Sequence, residues 1–341
     1  MQPPQRLVDP RGDVTLGVFD APVAEVNAQD FALRTPLGRP AGALARRFGF
    51  NQFQFFGVVS DALMLGCAII DIKLLSGAFI YFFDPRTGEL IERSFRLPLS
   101  FGLSQVRTPG EGTTTFTVGK NRFEMGNRPE ARQRTLKVEL ASGEGVSLTL
   151  DEGDPPIQPM CICTRAGLRG WVYAQKTAGV AASGVARFGG KEVDLAAVGA
   201  TGHHDWSAGY MRRETWWNWA CISGRLPDGR RVGLNVSCGV NESSYTESCF
   251  WVEGALVKVD AVAFEYDGQD LRKPWRIRSN DGLVDLTFHP LGSHGERVDA
   301  WIVASSFEQL FGRFEGRLGA GGDAVVVDGL LGYAEEHFAR W

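Results

Sequence analysis

The sequence is dominated by short runs in which apolar and polar residues alternate, and almost none of it has the period of a helix. Ile70, Ile72 and Leu74, for example, alternate with Asp71 and Lys73, which is the pattern of a strand with one buried face. Turn residues end most of these runs, and glycine accounts for 42 of the 341 residues, beside 22 phenylalanines and 9 tryptophans. Glycine in turns and aromatic residues in strands together predict an all-β protein.

The predicted strands fall into two groups. The first follows an irregular lead-in of about 40 residues that is rich in proline and glycine, and it includes a hairpin with its turn at 84–88. The second begins near Thr201 and continues through turns at 227–229 and 280–282. Two groups of roughly eight to ten antiparallel strands predict two β-barrels in tandem, because closing a sheet removes its exposed edges. We place the N-terminal barrel at residues 1–200 and the C-terminal barrel at 201–341.

Charge and hydropathy exclude several classes of function. Acidic residues outnumber basic ones by 40 to 36, so no overall positive field gathers a nucleic-acid backbone. The first residues lack the apolar core of a signal peptide, and charges interrupt the most apolar stretch, 62–83. We therefore expect a cytoplasmic protein without a membrane span.

Motifs for metals, cofactors and nucleotides are missing from the sequence. The six cysteines and five histidines do not have paired ligand spacing, so we interpret the cysteines as reduced thiols and expect no metal ion. The sequence contains no nucleophile elbow, no glycine-rich dinucleotide loop and no Walker A motif. We expect no cofactor.

The densest group of chemically unusual residues is the segment 202–219, which holds four of the nine tryptophans and two of the five histidines. We predict that this segment borders a cavity, with His204 and Asp205 as candidate catalytic groups. The alternative is that His203 and His204 satisfy backbone groups in a turn, while the tryptophans belong to an ordinary core.

Two predicted strands contribute further candidates. The strand that starts at Thr215 alternates its tryptophans between two faces, and the strand that starts at Val232 alternates apolar residues with small polar ones. A small polar face inside a barrel leaves room for a ligand and offers it hydrogen bonds. The predicted substrate-binding residues are His203, Trp206, Tyr210, Trp217, Asn218, Trp219, Asn235, Ser237 and Glu247.

These segments resemble known families. The central region of hydroxyneurosporene synthase-type carotenoid hydratases, with its G-x-x-W-x-D-H-x-W-G signature, W-x-W strand and glycine-turn hairpin, is similar to residues 184–199, 202–207, 217–219 and 225–232. A bacterial family catalogued as a domain of unknown function is similar over 205–219, 235–251, 274–278 and 332–341. The resemblance implies two lipocalin-like (calycin) barrels, a fold shared with pericyclase-type cyclisation enzymes.

The hydratase resemblance also assigns individual residues. His204 and Trp206 fall on the histidine and tryptophan of the signature, and Trp217 and Trp219 fall on the W-x-W strand. His203 stands where the signature has its aspartate. Hydratases of that type are thought to protonate an alkene with a carboxylic acid further along the chain, and Glu242 and Glu247 are candidates for that acid by location.

The sequence therefore predicts that the protein binds an apolar small molecule, a lipid or isoprenoid, in a barrel cavity. One hypothesis is a hydratase, isomerase or cyclase without a redox cofactor, in which a buried acid donates a proton and aromatic faces stabilise positive charge. Its candidate catalytic residues are His204, Asp205 and Glu242. The other hypothesis is a non-catalytic carrier, which needs only the cavity. The ligand and the oligomeric state stay open.

The C-terminus carries a separate prediction. Phe338 and Trp341 are three residues apart, which on a short helix after Tyr333 would place them on one buried face. Docking of that helix would bring Glu336 or His337 to the rim of the site.

Overall fold

The computed structural model of the protein describes residues 1–240, 245–301 and 303–341. Helical structure in these ranges is limited to one short α-helix, α1 (Ala43–Phe48), and the 3-10 turns Ala28–Asp30, Pro129–Ala131 and Gly321–Asp323. None of the described helices has the length and apolar character needed to cross a bilayer. The fold is all-β, as the alternation predicts.

Within the described residues, the first sheet has fourteen strands. They are β1 (Gly17–Phe19), β2 (Phe50–Ser60), β3 (Leu63–Asp71), β4 (Leu75–Asp84), β5 (Glu89–Pro98), β6 (Leu103–Ser104), β7 (Gly112–Val118), β8 (Asn121–Arg128), β9 (Gln133–Glu139), β10 (Gly145–Asp151), β11 (Met160–Ala166), β12 (Gly170–Phe188), β13 (Lys191–Asp194) and β14 (Thr201–Tyr210). The main path runs β5-β4-β3-β2-β14-β12-β10-β9-β8-β7-β6, with β11 and β13 paired to β12 and β1 paired to β11. The hairpin predicted at 84–88 is confirmed, since it joins β4 to β5.

The second sheet has nine strands in the part of the chain that the structure describes. They are β15 (Glu214–Arg225), β16 (Arg231–Cys238), β17 (Cys249–Val252), β18 (Ala255–Lys258), β19 (Val262–Glu265), β20 (Trp275–Ser279), β21 (Val284–Ala300), β22 (Val303–Leu318) and β23 (Val325–Arg340). Their order is β18-β17-β16-β15-β23-β22-β21-β20-β19. Both sheets curl into antiparallel half-barrels.

Sheet membership changes between Tyr210 and Glu214. Strand β14 pairs with β2 and β12 in the first sheet, while β15 pairs with β16 and β23 in the second. The boundary near residue 200 stays a prediction about domains.

The two half-barrels pack against each other through close backbone contacts. A bulge at Gly179 in β12 approaches Gly233 in β16, and a Cβ atom on Gly233 would lie 2.3 Å from the carbonyl oxygen of Ala178. The Tyr333 hydroxyl of the second sheet lies 3.0 Å from the carbonyl oxygen of Val58 in the first and donates into that backbone. Glycine is required at 233 because any side chain would push the sheets apart.

The predicted C-terminal helix is wrong. Residues 325–340 form strand β23, which pairs along one edge with β15 and along the other with β22. Since side chains alternate on a strand, Phe338 lies on the face opposite His337 and does not share a face with Trp341. Pairing on both edges satisfies the backbone more completely than one free helical turn could.

Candidate functional site

A cavity of about 290 Å³ lies between the two sheets. Its walls come from β2, β4, β12 and β14 on one side and from β15, β22 and β23 on the other. The aromatic side chains that line it include Phe53, Phe55, Phe79, Phe307, Trp217 and Trp219. The cavity is therefore lined by both sheets together.

Strand alternation and register explain which residues of the first sheet face the cavity. Phe55 in β2 lies directly opposite Asp205 in β14, which in turn lies opposite Lys176 in β12. The three side chains form one row across three strands and point to the same face. Ser207 follows Asp205 by two residues and lines the cavity as well.

Lys176, Asp205 and Glu247 form a buried charged cluster in the cavity wall. The Lys176 ammonium lies 2.8 Å from Asp205 Oδ2 and 2.7 Å from Glu247 Oε1. The Ser207 hydroxyl donates to Asp205 Oδ1 over 2.9 Å. One ammonium is therefore shared by two carboxylates, and a proton bound by Asp205 would make the cluster neutral.

The electrostatics of this cluster raise the pKa of Asp205 above its ordinary value. Burial raises the pKa of Asp205, and the neighbouring Glu247 raises it further, while the Lys176 ammonium offsets only part of the rise. Burial alone would lower the pKa of Lys176, but the two carboxylates outweigh that effect and hold the pKa above its ordinary value. Lys176 thus stays charged, and the raised pKa makes Asp205 a candidate proton donor.

The opposite wall carries a second polar cluster centred on Glu335 of β23. Trp217 Nε1 donates to Glu335 Oε1 and Gln309 Nε2 donates to Glu335 Oε2, each over 2.8 Å. The Tyr81 hydroxyl of the first sheet donates to Gln309 Oε1. Both oxygens of Glu335 therefore act as acceptors, and the chain of hydrogen bonds joins the two sheets at the cavity.

His337 extends this cluster along the same face of β23. Its Nδ1 lies 3.5 Å from Glu335 Oε1, and its Nε2 lies 3.0 Å from the Ser305 hydroxyl. The neighbouring Glu336 lies on the opposite face of the strand and does not line the cavity. Of the two C-terminal residues expected at the rim, the structure places His337 there.

The two adjacent histidines lie beside the cavity and do not line it. The ring of His203 is packed among Phe55, Trp219 and Tyr333, and neither of its nitrogens has a hydrogen-bond partner among the described residues. Burial, with a smaller contribution from the Lys176 ammonium, lowers the pKa of His203 to about 3.

His204 points to the other face of β14. Its Nε2 lies 3.1 Å from Gln54 Nε2, and burial lowers its pKa well below the ordinary value. Both histidines are therefore neutral at physiological pH. Trp206 and Tyr210 share the His204 face, where they pack with the lead-in segment.

The other predicted residues are divided between the cavity and its surroundings. Asp205, Trp217, Trp219 and Glu247 line it. Asn235 is not among the lining residues, and its side-chain oxygen accepts a hydrogen bond from Trp219 Nε1 over 2.8 Å.

Two predicted ligand contacts lie elsewhere, and one candidate acid cannot be placed. The Asn218 amide lies on the opposite face of β15, where it donates to the Tyr266 hydroxyl. Ser237 contacts Ser248 through its backbone amide and does not line the cavity. Glu242 lies outside the described residues.

The residues at the cavity that the sequence does not predict are Lys176, Gln309, Tyr81 and, as a hydrogen-bond acceptor, Glu335. Lys176 had a detectable signal, because it is the only charged residue between 170 and 186 in an otherwise apolar and small-residue strand. The other three had none, since their partners are more than 25 residues distant in the chain. Among the residues that the structure describes, no cluster of histidine, cysteine or acidic side chains is arranged to hold a metal ion.

Comparison with known proteins settles the family. The model described as Domain of unknown function (DUF2804) matches residues 1–341. The chain belongs to the DUF2804 family. This confirms the resemblance to a domain-of-unknown-function family. A comparison of the DUF2804 chain with curated proteins finds no match.

Solved structures share the fold of the DUF2804 chain at low identity. Kievitone hydratase from Nectria haematococca matches with a TM-score of 0.54 and 9% identity, covering 85% of this chain and 89% of that one. CghA with Sch210972 matches with a TM-score of 0.51 and 11% identity, covering 85% of this chain and 88% of that one. A protein assigned as AttH from Nitrosomonas europaea matches with a TM-score of 0.50 and 13% identity, covering 89% of this chain and 96% of that one. These matches confirm the predicted lipocalin-like fold.

Proposed function

We propose that the protein binds a largely apolar unsaturated molecule, a lipid or isoprenoid, between its two sheets and catalyses acid-assisted hydration, isomerisation or cyclisation. The observation that carries this proposal is the position of Asp205, a buried carboxyl with a raised pKa in the wall of an aromatic cavity. Burial favours the protonated form of such a carboxyl relative to an exposed one, and a group of this kind can act as a general acid toward a substrate.

The walls of the cavity suit an apolar ligand. The lining is mostly apolar and includes phenylalanine and tryptophan side chains, and a volume of about 290 Å³ lies near the lower end of the range of small-molecule pockets. The indole of Trp219 already has the Lys176 ammonium 6.0 Å from its ring centre. Aromatic faces of this kind stabilise a positive charge that develops on a substrate carbon.

The proposed chemistry balances within the described residues and water. Asp205 transfers its proton to one carbon of an alkene, whose π electrons form the new C–H bond and leave a cation on the other carbon. In hydration a water oxygen bonds to that cation, and the proton it loses returns to a carboxylate. In isomerisation, the cation loses a neighbouring proton to the Asp205 carboxylate. In cyclisation, a second double bond attacks the cation, and the new cation formed in this way loses a proton to the same carboxylate. No redox step is needed.

The comparisons support the proposal only through the fold. One structural neighbour is named a hydratase and another was solved with a bound compound, so this architecture serves proteins that handle small molecules. The non-catalytic carrier is the alternative, and it requires the cavity without proton transfer from Asp205.

The test is proton transfer in deuterium oxide. The purified protein is extracted with organic solvent to identify retained molecules by mass spectrometry, and it is then incubated with them and with geraniol, farnesol and geranylgeraniol. We expect the wild type to yield a product that contains deuterium. We expect Asp205→Asn to yield no such product. If the protein retains a ligand but neither the wild type nor the variant introduces deuterium into it, the result would favour the non-catalytic carrier.

Asp205→Asn is expected to fold. The substitution leaves Lys176 paired with Glu247, and the amide oxygen can still accept the hydrogen bond from Ser207. Asp61→Asn is the matched control, because the Asp61 side chain is 79% exposed and pairs with Arg313 at the surface. Equal loss of deuterium uptake in both variants would contradict a specific role for Asp205.

A further inference from the structure

The wall of the cavity between the sheets carries both acidic and basic side chains. Glu247 and Glu335 are buried carboxylates in this wall, and Asp205 is the nearly buried carboxyl proposed above as the proton donor. The Lys176 ammonium is already shared between Asp205 and Glu247. Arg96 pairs with Glu296, and Arg212 donates to the carbonyl oxygen of Gly239.

Glu335 differs from Asp205 and Glu247, which share the Lys176 ammonium, because the structure pairs Glu335 with neutral donors. Its oxygens accept hydrogen bonds from Trp217 and Gln309, neither of which carries a charge. Each oxygen keeps further acceptor capacity, and His337 and Ser305 lie beside it on the same wall. This part of the wall can accept a hydrogen bond from a ligand but would repel an anion.

We infer that the ligand carries a hydrogen-bond-donating head group, an amine or a hydroxyl, that binds at Glu335, and that a carboxylate head group is disfavoured at this position. This inference rests on the proposed binding function and specifies its ligand class. The hydrocarbon part of the ligand lies against Phe55, Phe79 and Trp219, and the head group lies among Glu335, His337 and Ser305. A carboxylate in that position would place two like charges together in a partly dehydrated wall, which is unfavourable.

The test compares three ligands with one hydrocarbon chain and different head groups. Decylamine, decanol and decanoate are titrated into the protein below their micelle concentrations, and binding is followed by isothermal titration calorimetry. We expect the dissociation constant of decylamine to be about tenfold or more below that of decanoate, with decanol between them. Decanoate that binds as tightly as decylamine overturns the inference while leaving apolar binding intact. Failure of all three to bind overturns the proposed binding function as well.

A pair of variants in one strand locates the head group. Glu335→Gln removes the charge but keeps an acceptor for Trp217, and we expect it to reduce the preference for decylamine over decanoate several-fold. Glu336→Gln is the control, because it makes the same change on the opposite face of β23. If Glu336→Gln changes the preference as much as Glu335→Gln, or if neither does, the assigned position is wrong. Thermal unfolding of each variant separates lost binding from lost folding.

Discussion

The buried imidazole of His203 should make the protein lose stability as the pH falls. Its pKa is lowered from 6.5 to about 3, since burial and the Lys176 ammonium oppose its protonation. In the unfolded chain the ring takes up a proton below about pH 6.5, whereas in the folded protein it stays neutral. The part of the folding stability that depends on a neutral His203 is therefore fully present above the unfolded-state pKa. It is lost progressively as the pH falls from that value to the folded-state pKa.

The size of the effect follows from linkage. Each pH unit between the two pKa values costs about 1.4 kcal/mol for one group, so lowering the pH to about 5 costs about 2 kcal/mol through His203. His204, whose pKa burial also lowers, contributes a loss of stability in the same direction as the pH falls. The wild type is expected to lose the contributions of both groups.

His203→Leu isolates one of the two contributions. The ring nitrogens of His203 have no hydrogen-bond partner among the described residues, so an apolar side chain of similar volume loses little there. We expect the free energy of unfolding of this variant to fall less steeply with decreasing pH, by about 1.4 kcal/mol per unit, below about pH 6.5.

The assay is urea-induced unfolding between about pH 7.5 and about pH 5, followed by tryptophan fluorescence. His289→Leu is the matched control, because the His289 side chain is 44% exposed and the substitution should leave the slope unchanged. The same slope in His203→Leu and the wild type would refute the reasoning. A variant that is already several kcal/mol less stable near pH 7.5 would refute the premise that the ring makes no hydrogen bond.

Three further predictions address the packing and the composition of the fold. Gly233→Ala should destabilise the protein by about 1–3 kcal/mol in urea unfolding, since its Cβ would lie 2.3 Å from Ala178, whereas Gly268→Ala, with open space around it, should be neutral. Deleting residues 337–341 should lower the melting temperature by several degrees and weaken ligand retention, because it removes paired strand and part of the cavity wall; unchanged melting and retention would contradict this. Treatment with EDTA should leave thermal unfolding unchanged, and a stoichiometric metal in elemental analysis would contradict that expectation.

Much of the fold follows from local pattern. Alternation with a period of two identifies the strands, and glycine-containing turns separate them, so the all-β class and many hairpins are predictable. The same pattern correctly places Trp217 and Trp219 on one face of β15. It fails after Tyr333, because a spacing of three residues suggests a helix where two long neighbouring strands impose a strand.

The candidate site is less predictable than the fold. Local sequence brings His203, His204 and Asp205 together, but alternation on β14 separates them, so that Asp205 lines the cavity and His204 faces the lead-in side. The charged row on the first sheet also depends on register, since Lys176 reaches Asp205 only because β12 and β14 pair at that position. Neither the register nor the partner of a buried lysine can be read from one strand.

By itself, the sequence determined the strands, the two faces of each strand, and the presence of a lone lysine and several carboxylates among aromatic residues. The tertiary structure decided which face of each strand meets a packed core and which meets a cavity. It also brought Glu247 to Lys176, and Glu335 to Trp217 and Gln309, across long stretches of chain. The physical reason is that side-chain alternation is set by the backbone of each residue, whereas burial and pairing depend on contacts between strands remote in sequence.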